Sequence, residues 1–174
     1  MPDGRQPGTL RVRARARKQH LAQAQQLARR LRGFLVALGL RDAEVSLSLV
    51  GDAAMRRLNR VTRGKDQTTD VLSFPAASVP GSVLLGDLVI SMPVAKRWSA
   101  RLGRPLSAEL SLYAAHGLLH LLGHRHRMAA ERHKMEALER RLLGESGLIG
   151  RRVPAEEIPH TAGRGKDPRK TSTR

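Results

Sequence analysis

Residues 10–49 read LRVRARARKQHLAQAQQLARRLRGFLVALGLRDAEVSLSL, and the apolar period changes twice within them. Leu10, Val12, Ala14 and Ala16 alternate with Arg11, Arg13, Arg15 and Arg17, a period of two that predicts a strand. Its four arginines would share one face, either guarding an edge strand or contacting RNA. From Leu21 the spacing becomes helical, through Ala24, Leu27, Ala28, Leu31, Phe34, Leu35 and Leu38, and Gly39 is placed to stop that helix. Val45, Leu47 and Leu49 then alternate with serine as a second strand.

The same reading extends outward. Asp52 can cap a short helix carrying Met55 and Leu58, and residues 63–69 form a polar loop around Gly64. Val71–Phe74 reads as a strand ended by Pro75, and a Pro/Gly-marked loop follows at 75–82. Val83–Ser91 is a strand interrupted by Gly86-Asp87, and Pro93 suits the first turn of a helix running to about Leu102. Ser107 can cap a helix from about 108 to 122, ended by Gly123. Met128, Met135, Leu138, Leu142 and Leu143 mark a last helix. About four strands and about five helices, some between the early strands and the rest grouped at the end, suggest an α+β or mixed-sheet α/β domain. Residues 9–149 form that domain, between a disordered N-terminus at 1–8 and a basic disordered tail at 150–174.

The chain has 174 residues and a formal net charge of +17. The excess lies toward the front: residues 1–41 hold ten basic and one acidic residue. Such a surplus favours a polyanionic partner, nucleic acid ahead of an anionic membrane. Only 2% of the residues are aromatic, which argues against base-stacking platforms and for contact through phosphates. There is no cysteine, so disulfides, thiol catalysis and Cys-ligated zinc are excluded. No apolar run approaches ~18 residues and Met1–Gly8 has no apolar core, so neither a membrane span nor a secretory signal is expected. The default compartment is the cytoplasm.

Chemistry concentrates in His116-Gly-Leu-Leu-His120-Leu-Leu-Gly123-His124-Arg-His126. His116 and His120 are one helical turn apart and share a face, where two imidazoles can chelate one divalent ion. Gly123 lets the chain turn back, so that His126 or His124 can supply a third nitrogen. Three neutral histidines and an open fourth position are the donor set of a catalytic metal site, placed here on a C-terminal helix and the turn after it. Zn2+ is the default ion for such a set. His133 falls on a helix surface, and His20 and His160 have no partner in sequence. The spacing is also that of a zinc-protease group, which needs a glutamate general base directly after the first histidine. Gly117 stands there, so that mechanism is not expected.

Three stretches carry a resemblance. His116, Gly117, Leu119, His120, Leu121, Gly123 and His126 match H-G-x-L-H-L-x-G-x-D-H. Leu58-Asn59 through Arg63-Gly64-Lys65-Asp66 to Thr69-Asp70-Val71-Leu72-Ser73-Phe74-Pro75 matches L-N-x-x-Y-R-G-K-D-x-P-T-D-V-L-S-F-P, and Leu85-Gly86-Asp87-Leu88-Val89-Ile90-Ser91 is close to L-G-D-I-V-I-S. In this order, over about 44–145, the sequence resembles the YbeY family of bacterial metal-dependent endoribonucleases. The resemblance implies an α+β single domain with a small mixed sheet of about four strands, with His116, His120 and His126 as ligands of one divalent metal ion and Arg63 as the catalytic arginine. It implies hydrolysis of single-stranded rRNA, in 16S rRNA 3′-end maturation and ribosome quality control, with the small ribosomal subunit as partner. The chain departs from the pattern at Arg125, Thr62 and Thr68, where the family has Asp, Tyr and Pro. Arg125 removes a carboxylate beside the third ligand, which disfavours metal and favours phosphate. The competing reading is a non-catalytic rRNA-binding assembly factor with a structural metal.

Overall fold

A computed structural model describes residues 10–77, 83–124 and 128–145. The chain runs β1 (Leu10–Arg15), α1 (Leu21–Ala37), β2 (Ala43–Val50), α2 (Asp52–Arg63), β3 (Val71–Pro75), β4 (Leu84–Ser91), α3 (Met92–Leu102), α4 (Leu106–Leu121) and α5 (Ala129–Glu145). The four strands form one sheet in the order β1-β2-β4-β3. β1, β2 and β4 are parallel, and β3 is antiparallel to β4. Among the described residues the expected α+β domain, with a four-stranded mixed sheet and five α-helices, is the one observed.

Strand alternation sorts side chains onto two unlike faces. One carries Val12, Val45, Leu47, Leu49, Leu88, Ile90 and Val71, all buried in the main core with α1, α4 and α5. Phe34, Leu31 and Leu35 of α1 and Leu118 and Leu119 of α4 are its fully buried centre. The other face is covered by α2 only over β3 and β4, where Met55 packs with Leu72 and Val89, flanked by Val50, Leu58 and Phe74. The helix bearing the histidines and the helix ending in Arg63 thus lie on opposite sides of the sheet.

Several local expectations shift. β1 ends at Arg15, and Arg17 opens the 3-10 turn Lys18–His20 at φ −61°, ψ 152°, so three arginines and not four share the strand face. Asp52 is the first residue of α2 and not its cap; Gly51 precedes it in extended backbone, and Asp52 instead pairs with Arg97 at 3.0 Å. α4 begins at Leu106, after Pro105, so Ser107 lies inside the first turn, where its carbonyl accepts from Ser111 Oγ at 2.6 Å. Pro105 takes the cap position, at φ −57° and ψ 136°, one residue ahead of the helix. Ser91 is a cap the sequence reading passed over: its hydroxyl accepts from Val94 N–H at 3.3 Å. Gly86 sits inside β4 at φ +138°, where a Cβ would lie 2.1 Å from the Phe74 carbonyl oxygen, so only glycine lets β3 and β4 pair there.

Candidate functional site

α4 is held at both ends of its buried length. Near its start, buried Glu109 accepts from Arg104 Nη1 at 3.3 Å, and Ser111 Oγ accepts from Arg30 of α1 at 3.0 Å. Burial, and next the negative charges of Glu109 and Asp70, push the Tyr113 hydroxyl far above its ordinary range, so it stays protonated. Further along, Gly117 lies against the sheet. A Cβ there would stand 2.8 Å from Leu88 Cδ2 and 3.1 Å from both Ser73 Oγ and Val71 Cγ2. Ser73 Oγ donates to the Gly117 carbonyl at 3.2 Å. The glycine lets α4 sink onto β3 and β4, and at the position that would carry a protease's general base even a Cβ crowds the Leu88 side chain.

His116 and His120 project from the half-buried edge of the same helix. Their Nε2 atoms are 3.0 Å apart, with the rings edge to face at a 4.6 Å centroid distance. Behind them, Glu139 of α5 is 4% exposed and its Oε1 lies 2.6 Å from His116 Nδ1. An ionised carboxylate only accepts, so Nδ1 donates to Glu139 and the ring turns its Nε2 toward His120. The spacing fits a shared ion: two nitrogens bound to Zn2+ at tetrahedral geometry stand about 3.3 Å apart. Glu139 was not singled out as a functional residue from sequence. The signal available was a carboxylate on the buried side of the last helix, where a charge needs a partner.

The other expected site residues are distributed as follows. Among the described residues no group of three metal-ligating side chains forms; His126 and Arg125 lie outside those residues. His124 is half-buried, with its N–H donated to the Leu119 carbonyl at 2.9 Å, and His133 is exposed on α5. Arg63 is exposed in the last turn of α2, and its side chain makes no hydrogen bond or ion pair with a described residue. Gly64 follows in the left-handed region at φ +68°, ending the helix. The loop beyond is clamped twice. Arg56 grips Asp66 through two bonds of 2.8 and 2.6 Å, and buried Asn59 donates its Nδ2 to the Gln67 carbonyl at 2.8 Å. Asp70 closes the loop, its Oδ1 accepting from Val71 N–H at 2.8 Å and Thr69 Oγ1 at 3.0 Å. The loop then enters β3, the strand whose Ser73 holds α4, so β3 is the structural link between Arg63 and the histidine helix. No helix among the described residues is long and apolar enough to cross a membrane.

Known proteins resemble this one over most of its length. A family model described as Endoribonuclease YbeY matches residues 11–147. A Myxococcus xanthus protein named Endoribonuclease YbeY is 53% identical over 122 residues, 68% of this chain and 42% of that protein's length. One of the same name from an Anaeromyxobacter species is 46% identical over 156 residues, covering 87% of this chain and 81% of its own. The solution structure of TM1509 from Thermotoga maritima shares the fold, with a TM-score of 0.52 at 23% identity over 80% of this chain and 92% of that one. By the family match and these identities, the chain belongs to the Endoribonuclease YbeY family of RNA-cleaving hydrolases.

Proposed function

We propose that this protein is a single-strand-specific, metal-dependent endoribonuclease of the cytoplasm. Its substrate is the 3′ end of 16S rRNA on the small ribosomal subunit, in maturation and quality control. One divalent ion, Zn2+ by default, is held by His116, His120 and His126, and Arg63 contacts the scissile phosphate. The observation carrying this reading is the convergence of two imidazole nitrogens 3.0 Å apart, with a buried carboxylate fixing one ring from behind.

When bound, the ion supplies charge neutralisation at the phosphate and acidifies a water. The remaining work belongs to the chain. Glu139 keeps the proton of His116 on Nδ1, so the ring turns its basic Nε2 outward and cannot tumble. Arg63 binds the non-bridging oxygens, whose charge grows toward the transition state; its planar fork suits two oxygens at once. The clamped loop after Gly64 keeps that arginine's backbone in one place, and Lys65 adds a second cation beside it. The closely packed Gly117 leaves the acid–base steps to water and the site's edges, unlike a protease helix.

The test is cleavage of an rRNA precursor carrying a single-stranded 3′ extension. Purified protein is expected to cut it, and chelator or His120→Ala to abolish cutting. Cutting that survives both changes comes from a contaminant. Tight RNA binding without cutting would overturn the catalytic reading in favour of the assembly factor. Arg63→Ala is expected to lower kcat by about 10²–10³-fold, the cost of losing one group that stabilises transition-state charge; unchanged cleavage would remove Arg63 from the site.

A further inference from the structure

The arginine row of β1 takes no part in the site above. Cα pairing sets Arg11 beside Glu44, Arg13 beside Ser46 and Arg15 beside Ser48, and Ser46 beside Asp87 of β4. These side chains occupy the sheet face opposite α4. On that face α2 covers the β3–β4 half through Met55 and Leu58, and among the described residues the β1–β2 half carries arginines, serines and Glu44. Arg11, Arg13 and Arg15 are exposed, and Ser46 and Ser48 are half-buried between them and β4. One counter-charge sits within the row: Glu44 pairs with Arg13 at 2.8 Å. Arg11 and Arg15 have no ion pair with a described residue. Exposed Asp87 bounds the strip on its inner side.

Guarding a sheet edge needs charge on the edge strand, and one or two basic residues suffice. It does not need a row in register above a floor of small hydroxyls. Residues i and i+2 of a strand are about 6.7 Å apart, so the row places cations at a regular repeat along a line. Short serines beside it leave the sheet surface low enough for a chain to lie against it. Among the described residues, the only aromatic side chain on this sheet face, Phe74, is packed with Met55 of α2, so bases find no stacking platform. A regular line of cations, hydroxyls alongside and no aromatic surface match a sugar–phosphate backbone.

We infer that the β1–β2 face is a second RNA-binding site: a single strand runs along β1 with its phosphates on Arg11 and Arg15 and its sugar edge toward Ser46 and Ser48. Naming the polyanion as RNA rests on the ribonuclease reading; the site itself lies on the other side of the sheet from the histidines. It makes the protein favour long or folded RNAs, which reach both faces, over short ones that fill the histidine site alone.

The test compares wild type with Arg11→Gln/Arg15→Gln, which leaves the Arg13–Glu44 pair intact. Binding of a long and a short labelled single-stranded RNA is measured on metal-free protein across a salt series. For the long RNA the double variant is expected to bind about tenfold more weakly, with a log–log salt slope shallower by about 1.4, or about 0.7 for each phosphate no longer neutralised. Short-RNA affinity, and cleavage of the short RNA by metal-loaded protein, should not change. Ser48→Glu should reproduce the long-RNA defect by placing a negative charge in the strip. Unchanged long-RNA affinity and slope in both variants would overturn the inference. So would wild type that binds vesicles of anionic lipid through the same arginines while both RNAs bind independently of them. A wild type that binds long RNA through the row yet cuts nothing sinks the ribonuclease reading alone.

Discussion

Glu139 and Gly117 each act through what lies directly against them. Replacing Glu139 with Ala frees the His116 ring and leaves Nδ1–H without its acceptor; metal affinity is expected to fall about 10–100-fold, read by competition with a chromophoric chelator. Glu139→Gln keeps an acceptor oxygen and should lose less. If Glu139 served packing alone, the two variants would differ in melting temperature of the metal-free protein and not in metal affinity. At Gly117 the Ala variant gains about 1 kcal/mol of helix propensity against overpacking of about 1–3 kcal/mol. A small net loss is expected in denaturant unfolding. Gly117→Glu, which installs the protease's residue, should cost more than about 3 kcal/mol, because its carboxylate would be driven against buried Leu88. A Glu variant as stable as wild type would show that α4 is free to lift from the sheet.

At the scale of elements, the loop between α2 and β3 is held by a surface pair. The Arg56 guanidinium, chiefly through its hydrogen bonds, holds the Asp66 carboxyl below its ordinary range. A depressed carboxylate stabilises the fold above its unfolded pKa of about 3.9 and ceases to do so as pH falls through the lower folded value. The clamp is therefore intact at neutral pH and released only in acid. Asp66→Asn should leave the melting temperature nearly unchanged, since exposed pairs contribute little. It should speed amide exchange at Lys65 and Gln67, whose N–H groups donate to the Asn59 and Lys65 carbonyls at 3.4 and 2.9 Å. Equal exchange in variant and wild type would mean that Asn59 alone fixes the loop. The order of these elements was legible because each has a clean period: Leu21 to Leu38 reads only as a helix and Val45 to Leu49 only as a strand. Their ends were less so. Asp52 and Ser107 are good capping types, but Gly51 and Pro105 just before them start the helices earlier. The pairing of His116 with Glu139 was hidden for another reason: it spans 23 residues and two helices, and periodicity carries no information about which faces meet.

For the whole molecule, the core is complete without the histidines. Among the described residues, twenty-five buried apolar side chains join α1, α3, α4, α5 and the sheet, while His116 and His120 are only half-buried at its edge. Removing metal should therefore leave far-ultraviolet circular dichroism and cooperative melting in place, with at most a downward shift in melting temperature that reloading reverses. Unfolding on chelation, as in small domains folded by their metal, would instead make the ion structural. Solvent-facing charge is the other molecular property: at +17, RNA binding by wild type should weaken steeply with salt, and the slope counts the phosphates engaged.

The Glu139 contact also sets an order in time. In chain order the whole sheet and α4 precede α5, so a ribosome makes them first. Until residue 139 has been added and its helix has docked, His116 lacks the carboxylate that accepts from its Nδ1. A chain made through α4 can thus carry the whole sheet while the His116 ring is still unset, and the ring is set only once α5 has been added and docked.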